Sequence, residues 1–276
     1  MFQYAAGRAV AYRRHVQLAL DTSEFQNGSQ RNYRLHNFNI EASVSSKETV
    51  ESFKQQAERK STAWLSRLRP YYRRAFIKEP HFSFDGNILR APGRVYLDGY
   101  WQSEKYFREI AQLLRNELTV KEKPQGANAE MGERIEQAPA AVSVHVRRGD
   151  YASNPVTNQY HGMCSLAYYQ DAVSKLGSVG VRPQLFVFSD DIPWAEANLS
   201  FDCPVTFVRH NPPDADHEDL RLMSRCRHHI IANSSFSWWG AWLSADPDKI
   251  VIAPRQWFNG AGHDTRDLLP ESWVQL

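Results

Sequence analysis

From residue 139 onward, short apolar runs alternate with helix-prone stretches, and that alternation leaves few folds open. The runs are 141–146 (Ala-Val-Ser-Val-His-Val), 185–188 (Leu-Phe-Val-Phe), 205–208 (Val-Thr-Phe-Val), 229–232 (His-Ile-Ile-Ala) and 250–253 (Ile-Val-Ile-Ala). Each has the length of a buried strand, and helical patterns at 166–176 and 220–226 lie between them. Strands joined through helices run parallel, and a parallel sheet must be covered on both faces. Ligands of such sheets sit beyond the carboxyl ends of the strands, so the residues just after each run carry the chemistry.

The first half reads differently. Residues 5–16 are Ala-rich with near-helical spacing, and 16–20 (Val-Gln-Leu-Ala-Leu) reads as a strand. The pair is either the second half of a βαβ unit or a helix that simply opens the protein. Residues 44–79 are charged and helix-prone, with Trp64, Leu65 and Leu68 as a sparse apolar stripe. Residues 95–101 predict a short strand and turn, and 103–118 a helix. The polar stretch 121–138 contains Pro124, Gly126 and few apolar anchors, which predicts a linker. The expected division is an N-terminal α/β domain over 1–138, its linker at about 120–138, and a second α/β domain over 139–276.

Composition narrows the function. Thirty-three Lys and Arg against 31 Asp and Glu give a net charge of +2, too little for nucleic-acid binding by a global field. Any anion must be held by locally placed side chains. The three cysteines, Cys164, Cys203 and Cys226, show neither zinc-ligand spacing nor a disulfide framework, which fits a reducing compartment. No apolar run approaches the length of a membrane-spanning helix, and Met1-Phe-Gln-Tyr4 lacks a signal peptide's basic start. The expected location is cytoplasmic.

Chemistry gathers at three strand ends. The first run closes on His145-Val-Arg-Arg-Gly-Asp-Tyr151. Alternation places His145 and Arg147 on one face and Arg148 opposite. Two adjacent arginines there call for an anionic partner, either a bound phosphate or Asp150, which would hold Arg148 while Gly149 makes a turn. The second run closes on Ser189-Asp190-Asp191 before Pro193. This carboxylate pair either coordinates a cation or caps a helix; the adjacent spacing and the proline favour Ser189 and Asp190 as caps. The fourth run leads into Asn233-Ser-Ser-Phe-Ser-Trp-Trp-Gly-Ala-Trp242. Hydroxyls at a helix start, together with the unpaired amides of its first turn, make an anion site, or an ordinary Ser-capped helix. Trp238, Trp239 and Trp242 read mainly as core, the alternative being an exposed aromatic platform for sugar. Upstream, Asp216, Glu218 and Asp219 open a helix with a Leu220, Met223 and Cys226 stripe. Capping accounts for most of these acids, although one carboxylate could accept bonds from a guanine edge.

Taken together and in this order, the HVRRGDY, FSDD, EDLRLMS and NSSFSWWGAW segments, with the opening MFQYAAGRA, closely resemble the glycosyltransferase family that contains the α-1,2-fucosyltransferases (family 11). The resemblance implies a GT-B-like fold of two Rossmann-like α/β domains facing across a cleft, with the donor held mainly by the C-terminal one. It implies inverting transfer of fucose from GDP-fucose to the 2-hydroxyl of a galactose-terminated glycan, with no cofactor and no essential metal. By the same resemblance Arg147 holds the diphosphate with Arg148 beside it, His145 lies near the nucleoside, and Asp219 reads guanine. Asn233, Ser234, Ser235 and Phe236 hold phosphates and ribose. Asp150 and His161 are the candidates for the catalytic base. The family normally places a Gly-rich loop ending Gly-Asn-Gln before Met-Phe-Gln, so a start upstream of Met1 is expected. Another nucleotide sugar such as GDP-mannose, another acceptor, or a sugar-binding role stay open as alternatives. Peripheral membrane association also stays open, with the basic run 67–74 either contributing or forming a solvated helix face.

Overall fold

The computed structural model describes residues 1–25, 32–58, 69–149, 159–160, 162–260 and 262–276. The chain divides into two compact units, Met1–Thr119 with His263–Pro270, and Val120–Gly262 with Glu271–Leu276.

The N-terminal unit opens with α1 (Phe2–Arg14), whose buried face carries Phe2, Tyr4, Ala5, Ala9 and Val10. His15, at φ 53°, ends the helix in the left-handed conformation, and the strand that follows is β1 (Ala19–Leu20). It pairs in parallel with β2 (Ser43–Val44). A second parallel pair joins β3 (Phe76–Lys78) to β4 (Tyr96–Asp98). The helix-prone segment after residue 44 yields α2 (Lys47–Glu58), while Trp64, Leu65 and Leu68 fall outside the described residues. The helix expected at 103–118 is broken. Phe107, at φ −134°, separates two 3-10 turns, and only α3 (Ala111–Glu117) is α-helical. The buried Glu117 closes this unit's core, accepting from the Tyr4 hydroxyl and from Arg8 Nε at 2.9 Å.

In the C-terminal unit the expected linker is a helix, α4 (Gly126–Gln137). Met131 and Ile135, four residues apart, are buried on one side of it. Two anchors make a stripe too narrow to read against ten polar or small neighbours. There follow β5 (Ala141–Val146), α5 (Leu166–Ser178), β6 (Gln184–Ser189), α6 (Ile192–Asn198) and β7 (Val205–Phe207). Then come α7 (Asp216–Arg225), β8 (His228–Ile230), α8 (Ser235–Leu243), β9 (Val251–Ala253) and β10 (Val274–Gln275). The six strands are all parallel, in the order β10-β9-β8-β5-β6-β7. Counted from β5, this is the doubly wound order 3-2-1-4-5-6, in which the winding direction reverses between the first and fourth strands. Here that switch point lies between β5 and β8.

Period-two alternation sorts β5 between two cores. Val142, Val144 and Val146 pack with Tyr169, Ala172 and Leu176 of α5, whereas Ala141 packs with Phe186, Phe188, Ile135 of α4 and Met223 of α7. Burial of the larger of these side chains contributes roughly 1.5–3 kcal/mol each before conformational entropy is set against it.

Buried imidazoles on β5 and β8, His145 and His229 foremost, give this sheet a pH signature. His229 lies on β8 with its Nδ1 2.8 Å from the Ser143 hydroxyl, and burial holds its pKa well below the usual value. His145 is lowered to about 3, by burial first and by Arg147 second. In the unfolded chain both take a proton near pH 6.5, and in the folded chain neither does until far lower. The unfolded state therefore binds more protons in that window. The stabilisation is fully present above pH 6.5 and is lost as pH falls towards about 3. Denaturant midpoints measured from pH 7 to pH 4.5 should fall, and His229→Gln should flatten the slope.

Candidate functional site

The switch point decides where to look. Beyond the carboxyl end of β5 lie Arg147 and Arg148, and beyond that of β8 lie Asn233 and Ser234. His145, the penultimate residue of β5, is buried, and its ring centroid lies 5.5 Å from that of Phe236 in the first turn of α8. Two strand ends and one helix start thus lie side by side.

The helix start is built for an anion. Ser234 is the N-cap of α8, and its hydroxyl accepts from the Phe236 amide at 3.3 Å. No acid occupies the first turn, so the positive end of the helix is not neutralised locally. Ser235 is exposed beside it. Behind this edge Trp238, Trp239 and Trp242 are buried, Trp238 completely, and they pack on one another and on Trp273. They are core, which removes the basis for an exposed aromatic platform on this helix.

Both arginines also meet the aspartates that follow β6. Arg147 Nη1 pairs with Asp190 Oδ2 at 3.0 Å, and the Arg148 amide donates to Asp190 Oδ1 at 2.8 Å. Asp190 is therefore not a cap. Asp191 caps α6, accepting from the Trp194 amide at 3.2 Å, while Ser189 Oγ accepts from the Asp191 amide. Arg148 lies 3.5 Å from Asp191 Oδ2, with its guanidinium over the Trp194 ring at 3.7 Å. A residue position is missing from the sequence reading here: Trp194 as the platform under Arg148. The spacing of Asp190 from Arg147 is 43 residues, so only the β5–β6 register reveals the pair. Gly149 permits it, since a Cβ there would stand 2.5 Å from Asp190 Oδ2. Asp150 and His161, the candidates for the base, lie outside the described residues.

Asn233 turns inward. It is buried, and its Nδ2 donates to the carbonyls of Gly162 and Trp257 at 3.3 and 3.2 Å, so it fastens two loops behind the helix start.

Asp219 belongs to a second polar cluster, at the first turn of α7 after β7. Asn211 Nδ2 donates to Asp219 Oδ1 at 2.7 Å. Asn211 and Asn128 exchange bonds at 2.8 and 3.0 Å, and His210 Nε2 lies 2.8 Å from Asn128 Oδ1. Asn128 comes from α4, the stretch expected to be a linker. Burial raises the Asp219 pKa to about 6, the Asn211 bond opposing it and Asp216 and Glu218 adding to it. Its folded value exceeds its unfolded one, so its contribution is present at low pH and lost as pH rises through about 6, opposite in sign to that of the histidines. Among the described residues no group of His, Cys, Asp and Glu is arranged to hold a metal ion.

Residues 26–276 match the model of glycosyl transferase family 11. The chain belongs to this family. Across its whole length, and 94% of the relative's, this family 11 chain is 35% identical to an α-1,2-colitosyltransferase of Escherichia coli. It is 26% identical to human galactoside α-(1,2)-fucosyltransferase 1 over 57% of this chain and 45% of that one. Among solved structures, the fucosyltransferase NodZ from Bradyrhizobium matches with a TM-score of 0.50 at 15% identity, covering 87% of this chain and 86% of that one. A NodZ α-1,6-fucosyltransferase crystal soaked with GDP-fucose matches with the same TM-score at 16% identity, covering 91% and 89%. At such identity the likeness concerns fold, and the fold is GT-B-like.

Proposed function

We propose that this family 11 glycosyltransferase moves L-fucose from GDP-fucose to the 2-hydroxyl of a galactoside, with inversion. The observation that carries the reading is the convergence at the β5–β8 switch point of Arg147 with an α8 N-terminus whose first turn holds no acid. The donor's diphosphate would meet the Arg147 fork on one side and the first-turn amides and Ser235 on the other. As the sugar–phosphate bond breaks, negative charge builds on the leaving diphosphate, and these same groups stabilise it. In this reading no metal is needed for that task. Asp190 pairs with Arg147 Nη1 and so orients its guanidinium at the strand end. The neutral His145, whose Nδ1 has no partner among the described residues, offers a bond to the donor beside Phe236.

Asp219 is the group assigned to guanine, and its pKa of about 6 supplies a test. A carboxylate accepts from the guanine edge only when ionised. GDP binding should therefore strengthen as pH rises from 5 to 7, by up to about tenfold per unit below the pKa, with proton release. Calorimetry in buffers of different ionisation enthalpy measures both. Asp219→Asn should flatten the pH dependence; an unchanged profile in that variant would remove Asp219 from the guanine site.

A second donor has its own support. A relative matched over the whole chain is a colitosyltransferase, and colitose is fucose without its 3-hydroxyl. Parallel transfer assays with GDP-fucose and GDP-colitose on a terminal galactoside, with the product linkage determined, decide between them. The acceptor is proposed as a galactoside in either case. Among the described residues no helix is long and apolar enough to cross a membrane.

A further inference from the structure

The N-terminal unit contains an open cavity of about 750 Å³ lined by Arg14, Arg69, Arg73 and Arg90, with Pro70 and Pro92. Four guanidinium groups around one cavity repel one another, and among the described residues no carboxylate pairs with any of them. The fold nevertheless holds them there. Arg14 donates from Nε to the Ala91 carbonyl and from Nη2 to the Arg90 carbonyl, each at 2.7 Å. Arg73 and Arg90 lie over the ring of Tyr72, at 6.0 and 5.4 Å from its centroid. Pro70 prevents a continuous helix, and the 3-10 turn Tyr71–Arg73 carries Arg73 to the cavity. The basic run that could have been a solvated helix face is thus a turn in its described part. Arg74 sits next in the chain and donates instead to the Arg69 carbonyl at 3.4 Å, which ties the two ends of that turn together.

We propose that this cavity is an anion site for a phosphate-bearing ligand, of the phosphate or diphosphate class. Arginine offers planar forks that match phosphate oxygens in pairs, and a ligand carrying two or more negative charges would relieve the mutual repulsion of the four. The volume leaves room for a group attached to the phosphate. All six lining residues belong to the N-terminal unit, so the proposal does not depend on the assignment of the donor site at the β5–β8 switch point.

The test uses the full chain carrying Arg147→Ala, so that diphosphate bound at the strand ends of the other unit does not obscure the reading. Inorganic diphosphate is titrated calorimetrically at low ionic strength. Saturable binding is expected, weakened at least about tenfold by adding Arg69→Gln and Arg73→Gln, two exposed positions. Circular dichroism and the melting temperature check that the fold is kept. If that variant melts early, Arg90→Gln alone should still weaken binding. Flotation with phosphatidylcholine vesicles, with and without phosphatidic acid, identifies the source of the phosphate. Binding to the acidic vesicles that diphosphate and the double substitution both abolish assigns a lipid headgroup, and no flotation assigns a soluble ligand. The absence of diphosphate binding, or binding that neither set of substitutions weakens, overturns the proposal.

Discussion

Replacing Arg147 with alanine should weaken GDP-fucose binding by about 10²- to 10⁴-fold, since two charge-assisted bonds to phosphate are worth roughly 1.5–3 kcal/mol each. The turnover rate should fall further, because those bonds strengthen as charge collects on the leaving diphosphate. Stability should hardly move. The Arg147–Asp190 pair keeps side-chain exposures of 29% and 25%, where an ion pair contributes under about 1 kcal/mol. Asp190 also retains its bond from the Arg148 amide. Arg147→Lys separates charge from geometry: the charge stays while the fork is lost, so affinity should fall between those of the parent and the alanine variant. Isothermal titration with GDP and GDP-fucose, beside thermal melts of each variant, reads both quantities. Equal donor affinity in parent and Arg147→Ala would take this residue out of the diphosphate site.

Trp238→Ala should cost about 3–5 kcal/mol of stability, a large share of what a domain of this size possesses. Trp238 has no exposed surface, and its ring meets those of Trp239, Trp242 and Trp273 at 5.1, 6.1 and 5.4 Å. The last contact reaches the segment that leads into β10, so the cavity left by alanine would loosen both α8 and the final strand. Guanidinium unfolding measures the loss as a lower midpoint. If these tryptophans formed an exposed surface for sugar, the same substitution would leave stability nearly unchanged and remove carbohydrate binding instead. Because α8 presents the candidate phosphate site, partial loss of donor affinity should accompany the destabilisation.

The parallel sheet and the strand ends of the C-terminal unit were legible because their signals are local and strong. Residues 141–146 and 185–188 form β5 and β6 almost as written, and the Asn-Ser-Ser start of α8 shows the hydroxyl cap that its sequence announces. What escaped was either too short for periodicity or not local. β2 and β10 have two residues each and β3 has three, so no alternation can be counted within them. α4 hid because two apolar anchors among Glu, Gly, Arg and Gln look like a linker, although Asn128 within it reaches the Asp219 cluster. Asp190 and Asp191 show the non-local failure most clearly. Capping rules weigh each residue against its immediate neighbours, and both Ser189 and Asp190 satisfied them before Pro193. Strand register instead brings Asp190 beside Arg147 and leaves the cap to Asp191. The order of strands places the site at the β5–β8 switch point, and the order is a property of the fold.

The most direct test of the account is calorimetric titration of the unmodified chain with GDP-fucose, GDP-mannose and UDP-galactose, each with and without chelator. The account predicts selective binding of GDP-fucose, unaffected by chelator and lost in Arg147→Ala. A well-folded chain that binds none of the three, or one that binds UDP-galactose as tightly as GDP-fucose, would contradict it.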